Sequence, residues 1–159
     1  MRIGAASSVL LVFVLQLGCS GPARLPADRV KEQLGQIYKA YQLADKELRH
    51  PPKNEAEFKP FLAKVNTSEA ALQSVGDGKP FVIIWGAITG TKAMALAKPL
   101  GEGGDSFPPI LAYEQTGTPG KRHVLFATGQ MTFFDEKQFS GATFMNNHKP
   151  QTSAAGNAP

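Results

Sequence analysis

The sequence predicts an α+β fold: a long N-terminal helix packed on a small antiparallel β-sheet, with short capped helices between. Three observations carry that prediction. Apolar residues between Asp28 and Arg49 recur at helical spacing. From Gly78 onward, short β-branched and aromatic runs alternate with glycine-rich turns. Between these halves, an asparagine precedes a glutamate by three places at two points, as at a capped helix start.

The first helix spans Asp28 to Arg49, with Val30, Leu34, Ile37, Tyr38, Tyr41, Ala44 and Leu48 on one stripe. Asp28 is its expected N-cap, and Pro51-Pro52 end it. Tyr38 and Tyr41 read as core residues with their hydroxyls at the rim, not as a ligand-stacking platform. Asn54 with Glu57 caps a second segment carrying Phe58, Phe61 and Leu62, which Pro60 limits to a turn or two or kinks. Asn66 with Glu69 repeats the device ahead of Ala70 to Val75, and Gly76 closes that helix.

Phe81 to Trp85 is a continuous apolar run, expected of a strand covered on both faces. Ile110 to Tyr113 is a second strand, followed by a turn from Gln115 to Lys121. His123 to Ala127 and Gln130 to Phe134 form a hairpin on a two-residue loop, Thr128-Gly129. A type I′ turn there would strain the β-branched Thr128, so Thr128→Asn should stabilise the domain. The sheet is expected to be covered on one side only. Asp135 with Gln138 caps a brief helix that buries Phe139. From Asn146 the chain is polar and rich in glycine and proline, and it reads as disordered. The least regular stretch, Ala87 to Pro109, holds a turn of helix from Thr91 to Ala97 and then Gly101-Glu102-Gly103-Gly104-Asp105. Structureless loops of that length are uncommon unless they function, so a private binding surface would lie here.

The first nineteen residues have a different logic. Met1-Arg2 give a short positive segment, and an apolar stretch densest at Val9 to Leu15 follows. That stretch is too short to span a bilayer, which takes about 20 apolar residues, and it fits the core of a signal peptide. It ends in Gln16-Leu17-Gly18-Cys19, with a small residue directly before the chain's only cysteine. This ending resembles the lipobox of bacterial lipoproteins, although Gln16 stands where the motif usually has leucine. The resemblance implies cleavage after Gly18 and a diacylglyceryl group on the Cys19 thiol, with further acylation such as palmitate. A lone cysteine in an exported chain cannot form an intramolecular disulfide, and lipidation accounts for it. The organisation expected is a signal peptide over 1–18, a lipidated tether over 19–27, one domain over 28–145 and a tail over 146–159.

Charge and motifs narrow the function. Loss of residues 1–18 removes Arg2 and leaves 141 residues, with 16 basic and 13 acidic side chains. The basic residues are scattered along the chain, whereas a nucleic-acid binder concentrates them on one face. No nucleic-acid partner is expected. Gly86-Ala87-Ile88-Thr89-Gly90-Thr91-Lys92 looks superficially like a phosphate loop, but it has three residues between the glycines, and Thr91 separates Gly90 from the lysine. His50, His123 and His148 are far apart, none with a second ligand at metal spacing. His50 and His148 read as solvated, and His123 as structural or exposed. Glu55 and Glu57 complement a helix dipole more simply than they make an acid–base pair. No catalytic residue, metal site or cofactor is assigned, and the chain is not expected to be an enzyme.

The domain also resembles the head of pseudopilin-like proteins, in particular planctomycete prepilin-like proteins. The likeness rests on Leu34 to Tyr41 in the long helix, on Phe58-Lys59-Pro60-Phe61-Leu62, and on the closing hairpin Val124 to Met131. The prepilin cleavage motif is missing, and Thr128 and Gln130 replace the usual Asp and His of the hairpin. What the resemblance implies is a structural or interaction module carried on a lipid anchor. The expected function is therefore a non-catalytic envelope module that meets the membrane through Cys19 and has a protein partner. Its expected place is the periplasmic face of the envelope, with Ser20 after the cysteine favouring the outer over the inner membrane. The alternative is a lipoprotein that binds a solute or ligand through the 87–109 region.

Overall fold

The structure, a computed structural model, describes residues 25–100, 104–118 and 120–150. The expected signal segment, Cys19, most of the tether, Gly101 to Gly103 and residues 151–159 lie outside the described residues. The chain is α+β, as expected.

Helix α1 spans Pro26–Leu48, beginning two residues before the expected start. Leu25 holds the N-cap position without a side-chain cap. Pro26, in the first turn, has no N–H to satisfy, so a polar cap is less needed, and Asp28 complements the dipole from inside the helix. The helix leaves through Arg49 in the left-handed conformation, just ahead of Pro51-Pro52. Val30, Leu34, Ile37, Ala40, Tyr41 and Ala44 are fully buried, so the predicted stripe is the core face. Helix α2 spans Glu55–Lys64 and carries Pro60 inside it, longer than the expected turn or two. Pro60 and Ala56 lie on the exposed side, where a carbonyl left without its amide partner can reach water. The Asn54 side chain accepts the Glu57 amide at 2.9 Å, but the Glu57 carboxylate accepts from Lys53 N, so the reciprocal half of the box is displaced by one residue.

Asn66 does not start a third capped helix. It adopts φ 56, with its amide on the Ala63 carbonyl and the Thr67 amide on the Leu62 carbonyl. That is a Schellman exit from α2, with asparagine in the left-handed place often taken by glycine. Ser68 then precedes a single 3-10 turn, Glu69–Leu72. Gly76 is not its left-handed stop; the positive φ in this loop falls at Gly78.

The strands are β1 (Val82–Ile83), β2 (Lys98–Pro99), β3 (Ser106–Phe107), β4 (Ile110–Tyr113), β5 (Arg122–Phe126) and β6 (Met131–Phe134). A four-stranded antiparallel sheet has the order β1-β4-β5-β6, and β2 pairs with β3 separately. The 81–85 run is thus an edge strand with two paired residues. Phe81, Ile83 and Ile84 are buried all the same, and Trp85 stacks with Tyr41 of α1 and packs at a tilt on Phe58 of α2. Helix side chains, and not flanking strands, account for the continuous apolar pattern.

The expectation of a sheet covered on one side fails. All residues of β4 and β5 are buried. One face carries α1. On the other, Phe107 packs at 5.5 Å on Phe126 and Phe134, and Phe139 packs at 4.8 Å on Tyr113. Phe139 comes from the last helix among the described residues, Glu136–Ser140, which starts with the full capping box between Asp135 and Gln138. Phe144 completes the second cluster, 5.4 Å from Phe139 and 6.0 Å from Tyr113. The two outer aromatic clusters are not legible in the sequence because Phe107 and Phe144 come from segments without strand or helix periodicity.

The hairpin is present, but its loop has three residues. The Gly129 amide bonds the Phe126 carbonyl at 2.9 Å, and the Phe126 amide bonds the Gln130 carbonyl at 2.8 Å. Gly129 alone in the loop has positive φ, at 90°. This is the turn-plus-bulge form with glycine in the bulge position. Thr128 is therefore not forced into the left-handed region, and the predicted strain there is absent. Among the described residues of the 87–109 stretch, the expected turn of helix is present as α3 (Thr91–Met94), shorter than Thr91 to Ala97, and the β2–β3 pair is an element that was not expected. Finally, packing continues past residue 145. Asn146 donates to the Trp85 carbonyl at 2.7 Å, and His148 Nε2 lies 2.9 Å from the Tyr113 hydroxyl.

Candidate functional site

Two places concentrate chemistry among the described residues. The first is a buried polar cluster between the 73–80 loop and the β4–β5 pair. Glu114 follows β4, and antiparallel pairing sets it against His123 on β5. The Glu114 carboxylate accepts the Ser74 hydroxyl at 2.6 Å on Oε1, while on Oε2 it meets His123 Nδ1 at 2.6 Å and the His123 amide at 2.9 Å. All three side chains are 1–2% exposed. Burial pushes the Glu114 carboxyl up, but the hydrogen bonds from His123 and Ser74 outweigh it and hold the group below its ordinary value. His123 Nε2 is buried without a hydrogen-bond partner among the described residues, and its ring lies 4.1 Å from that of Phe133.

The same loop is tied to the sheet a second time. The Asp77 carboxylate accepts from Thr116 N, Thr116 Oγ1 and Gly117 N at 2.9–3.1 Å. Burial opposes its ionisation, but those bonds and one from Lys79 N hold Asp77 below its ordinary value. Gly76 sits between the two ties because its backbone passes directly over Glu114. A Cβ there would lie 2.3 Å from Oε1.

Serine, glutamate and histidine together invite comparison with a catalytic triad, but the order differs. A triad places the imidazole between hydroxyl and carboxylate, so that Nε2 takes the hydroxyl proton. Here the carboxylate is in the middle, and the Ser74 proton points at it. The arrangement joins three chain segments in the interior, and among the described residues no hydroxyl is hydrogen-bonded to His123 Nε2.

The second place is the surface of the 86–98 segment. Ile88, Met94 and Leu96 are exposed there, and Lys92 and Lys98 flank them. Beside them lies an open groove of about 370 Å³ lined by Ile88, Leu96, Lys98, Pro109, Phe144 and Met145, among others. The segment is held firmly at its base. The Ala87 amide bonds the Tyr41 hydroxyl at 2.9 Å, and the Gly90 amide bonds the Ala127 carbonyl at 2.9 Å.

The other residues weighed from sequence are placed apart. Tyr41 is fully buried, and its hydroxyl also donates to the Ile84 carbonyl at 3.2 Å, so it is core. Burial pushes that hydroxyl above its ordinary value. Tyr38 is half-buried, with Gln42 Nε2 donating to its hydroxyl. Glu55 pairs with Lys59 at 2.8 Å, and Glu57 bonds the Lys53 amide. His50 Nδ1 sits 2.9 Å from the Pro51 carbonyl. His148 is not solvated but packs on Phe144 and Tyr113, and burial pushes its imidazole below the ordinary value. No group of three metal-ligating side chains occurs among the described residues. No helix among them is long and apolar enough to cross a membrane. Cys19 lies outside them. Sequence reasoning missed Ser74 and Glu114 altogether; the only local sign was an acid closing a wholly apolar strand.

No family model, curated protein or solved structure matches this chain.

Proposed function

We propose that the chain is a lipid-anchored protein of the bacterial cell envelope, held through Cys19, with a domain that serves as a non-catalytic structural or protein-interaction module. The observation that carries this reading is the signal-peptide-like segment ending in Leu17-Gly18-Cys19, followed within seven residues by the start of the folded domain at Pro26. Two or more acyl chains on one cysteine hold stably, so no membrane-spanning helix is required. The inward-facing Ser74–Glu114–His123 cluster supports a structural role, since its reactive groups are tied to one another. The long helix on an antiparallel sheet is also in keeping with a pseudopilin-like head. Ser20 favours the outer membrane.

Mass spectrometry of the mature protein should find residue 19 first and bearing acyl mass, and Cys19→Ala should release the protein from the membrane fraction. A mature N-terminus elsewhere with a free thiol defeats the reading. Affinity purification of the lipidated protein would then identify the envelope partner. The groove beside Ile88 and Leu96 favours a second reading, a ligand-binding lipoprotein. A saturable rise in melting temperature with a small apolar ligand would support it.

A further inference from the structure

We propose that the 88–98 segment is a membrane-docking surface, which lays the anchored domain against a bilayer rich in anionic lipid. The observations begin with the sequence. Between Asp77 and Glu102 the chain has no acidic residue, while Lys79, Lys92 and Lys98 fall in that interval. The fold then sorts this stretch. Helix α3 turns Ala93 fully inward and leaves Met94 52%, Leu96 43% and Ile88 36% exposed. Scattered exposed apolar residues are ordinary, but three large ones within nine residues make a patch. Lys92 and Lys98 are exposed beside them, and Lys98 also lines the adjoining groove, in which no lining residue is acidic. Asp105, on the β2–β3 connection, is the nearest acid along the chain among the described residues.

Apolar side chains flanked by two lysines match the two layers of an anionic membrane surface. The acyl boundary takes Met94, Leu96 and Ile88, and the phosphates take the ammonium groups. The bonds from Ala87 to Tyr41 and from Gly90 to Ala127 fix the base of the patch. Little order therefore has to be gained on contact.

Reach is consistent with this placement, which rests on the lipid-anchored reading. Tyr38 and Tyr41, which touch the base of the segment, lie about 18–23 Å along α1 from Pro26 at 1.5 Å per residue. A chain of seven residues from Cys19 can extend roughly 25 Å. A lipid on Cys19 thus allows α1 to lie along the membrane with the patch in contact. Tethering also raises the local concentration of surface around the patch, so a weak patch suffices.

The test uses the mature chain, residues 19–159 carrying Cys19→Ser, which lacks both the acyl anchor and the apolar segment over 1–18. Flotation is measured with vesicles of phosphatidylcholine alone and of equal parts phosphatidylcholine and phosphatidylglycerol. The Cys19→Ser chain should prefer the anionic vesicles. Lys92→Gln with Lys98→Gln should weaken that binding roughly fivefold per lysine. Met94→Ser with Leu96→Ser should weaken it on both vesicle types. Unchanged melting midpoints will show that these exposed variants are folded. Equal binding to both vesicles, or binding that neither pair of substitutions reduces, overturns the proposal. So does a patch substitution that leaves flotation intact but abolishes self-association or capture of an envelope protein, because the surface would then serve a protein. The mass of native Cys19 is measured separately. Acyl mass without patch binding overturns the docking surface alone, and patch binding without acyl mass overturns the anchor alone.

Discussion

Gly129 meets two demands at once. Its φ of 90° lies where side chains other than glycine are strained, and a Cβ would sit 2.5 Å from Tyr38 Cε1. Gly129→Ala should therefore cost about 1–3 kcal/mol, measured as a lower urea midpoint at unchanged slope. Thr128 has no such demand, so Thr128→Asn should change stability by no more than about 0.5 kcal/mol. A marked stabilisation by Thr128→Asn would restore the two-residue type I′ loop and discredit the bulge. Glu114 is the other position where one atom group carries much. Glu114→Ala leaves His123 and Ser74 buried without their acceptor, and the expected loss is about 3–5 kcal/mol. A loss under 1 kcal/mol would mean that water reaches the cluster. The sequence could announce Gly129, because glycine between two apolar runs marks a turn. It could not announce Glu114, whose partners are 9 and 40 residues away.

Helices and strands differ in how far local pattern determines them. Helix α1 was legible because its stripe, Val30 to Leu48, repeats over about five turns and every predicted core position is buried or half-buried. Ile37→Ala or Leu34→Ala should each cost about 2–5 kcal/mol in chemical unfolding, since both side chains are fully buried. Near-zero effects at both would place the stripe against a partner instead. The capping boxes were less reliable guides. Asp135–Gln138 forms completely, Asn54–Glu57 by half, and Asn66–Glu69 not at all. A side chain three residues from a glutamate can cap a helix, but an asparagine can equally close the preceding one by adopting left-handed φ. Which occurs depends on where α2 ends, and that is set by the burial of Phe58, Phe61 and Leu62 against α1 and Trp85.

At the scale of the molecule, two ionised carboxylates tie the 73–80 loop to the β4–β5 region. Both Glu114 and Asp77 have folded pKa values below their ordinary ones. Their stabilisation is therefore complete above the unfolded carboxylate range, about pH 4, and is lost as pH falls through the lower folded values. Melting temperature should fall on acidification below about pH 4, and Glu114→Gln should flatten that dependence. An unchanged acid limb in Glu114→Gln would show that other groups govern it. The same loop joins the N-terminal half of α1, where Gln33 bonds the Gln73 carbonyl and the Val75 amide. Acid should accordingly loosen the end of the domain nearest the proposed anchor.

The sequence by itself determined the α+β class, the long helix and its core face, the closing hairpin, and the Asp135 cap. Each depends on residues within about one element's length, where periodicity and turn chemistry act. Only the tertiary structure decided that β1 is an edge strand and that both sheet faces are covered. It also decided that 146–150 pack, and that Ser74, Glu114 and His123 meet. Those outcomes depend on contacts between segments far apart in the chain, and a buried apolar run reads the same whether strands or helices cover it.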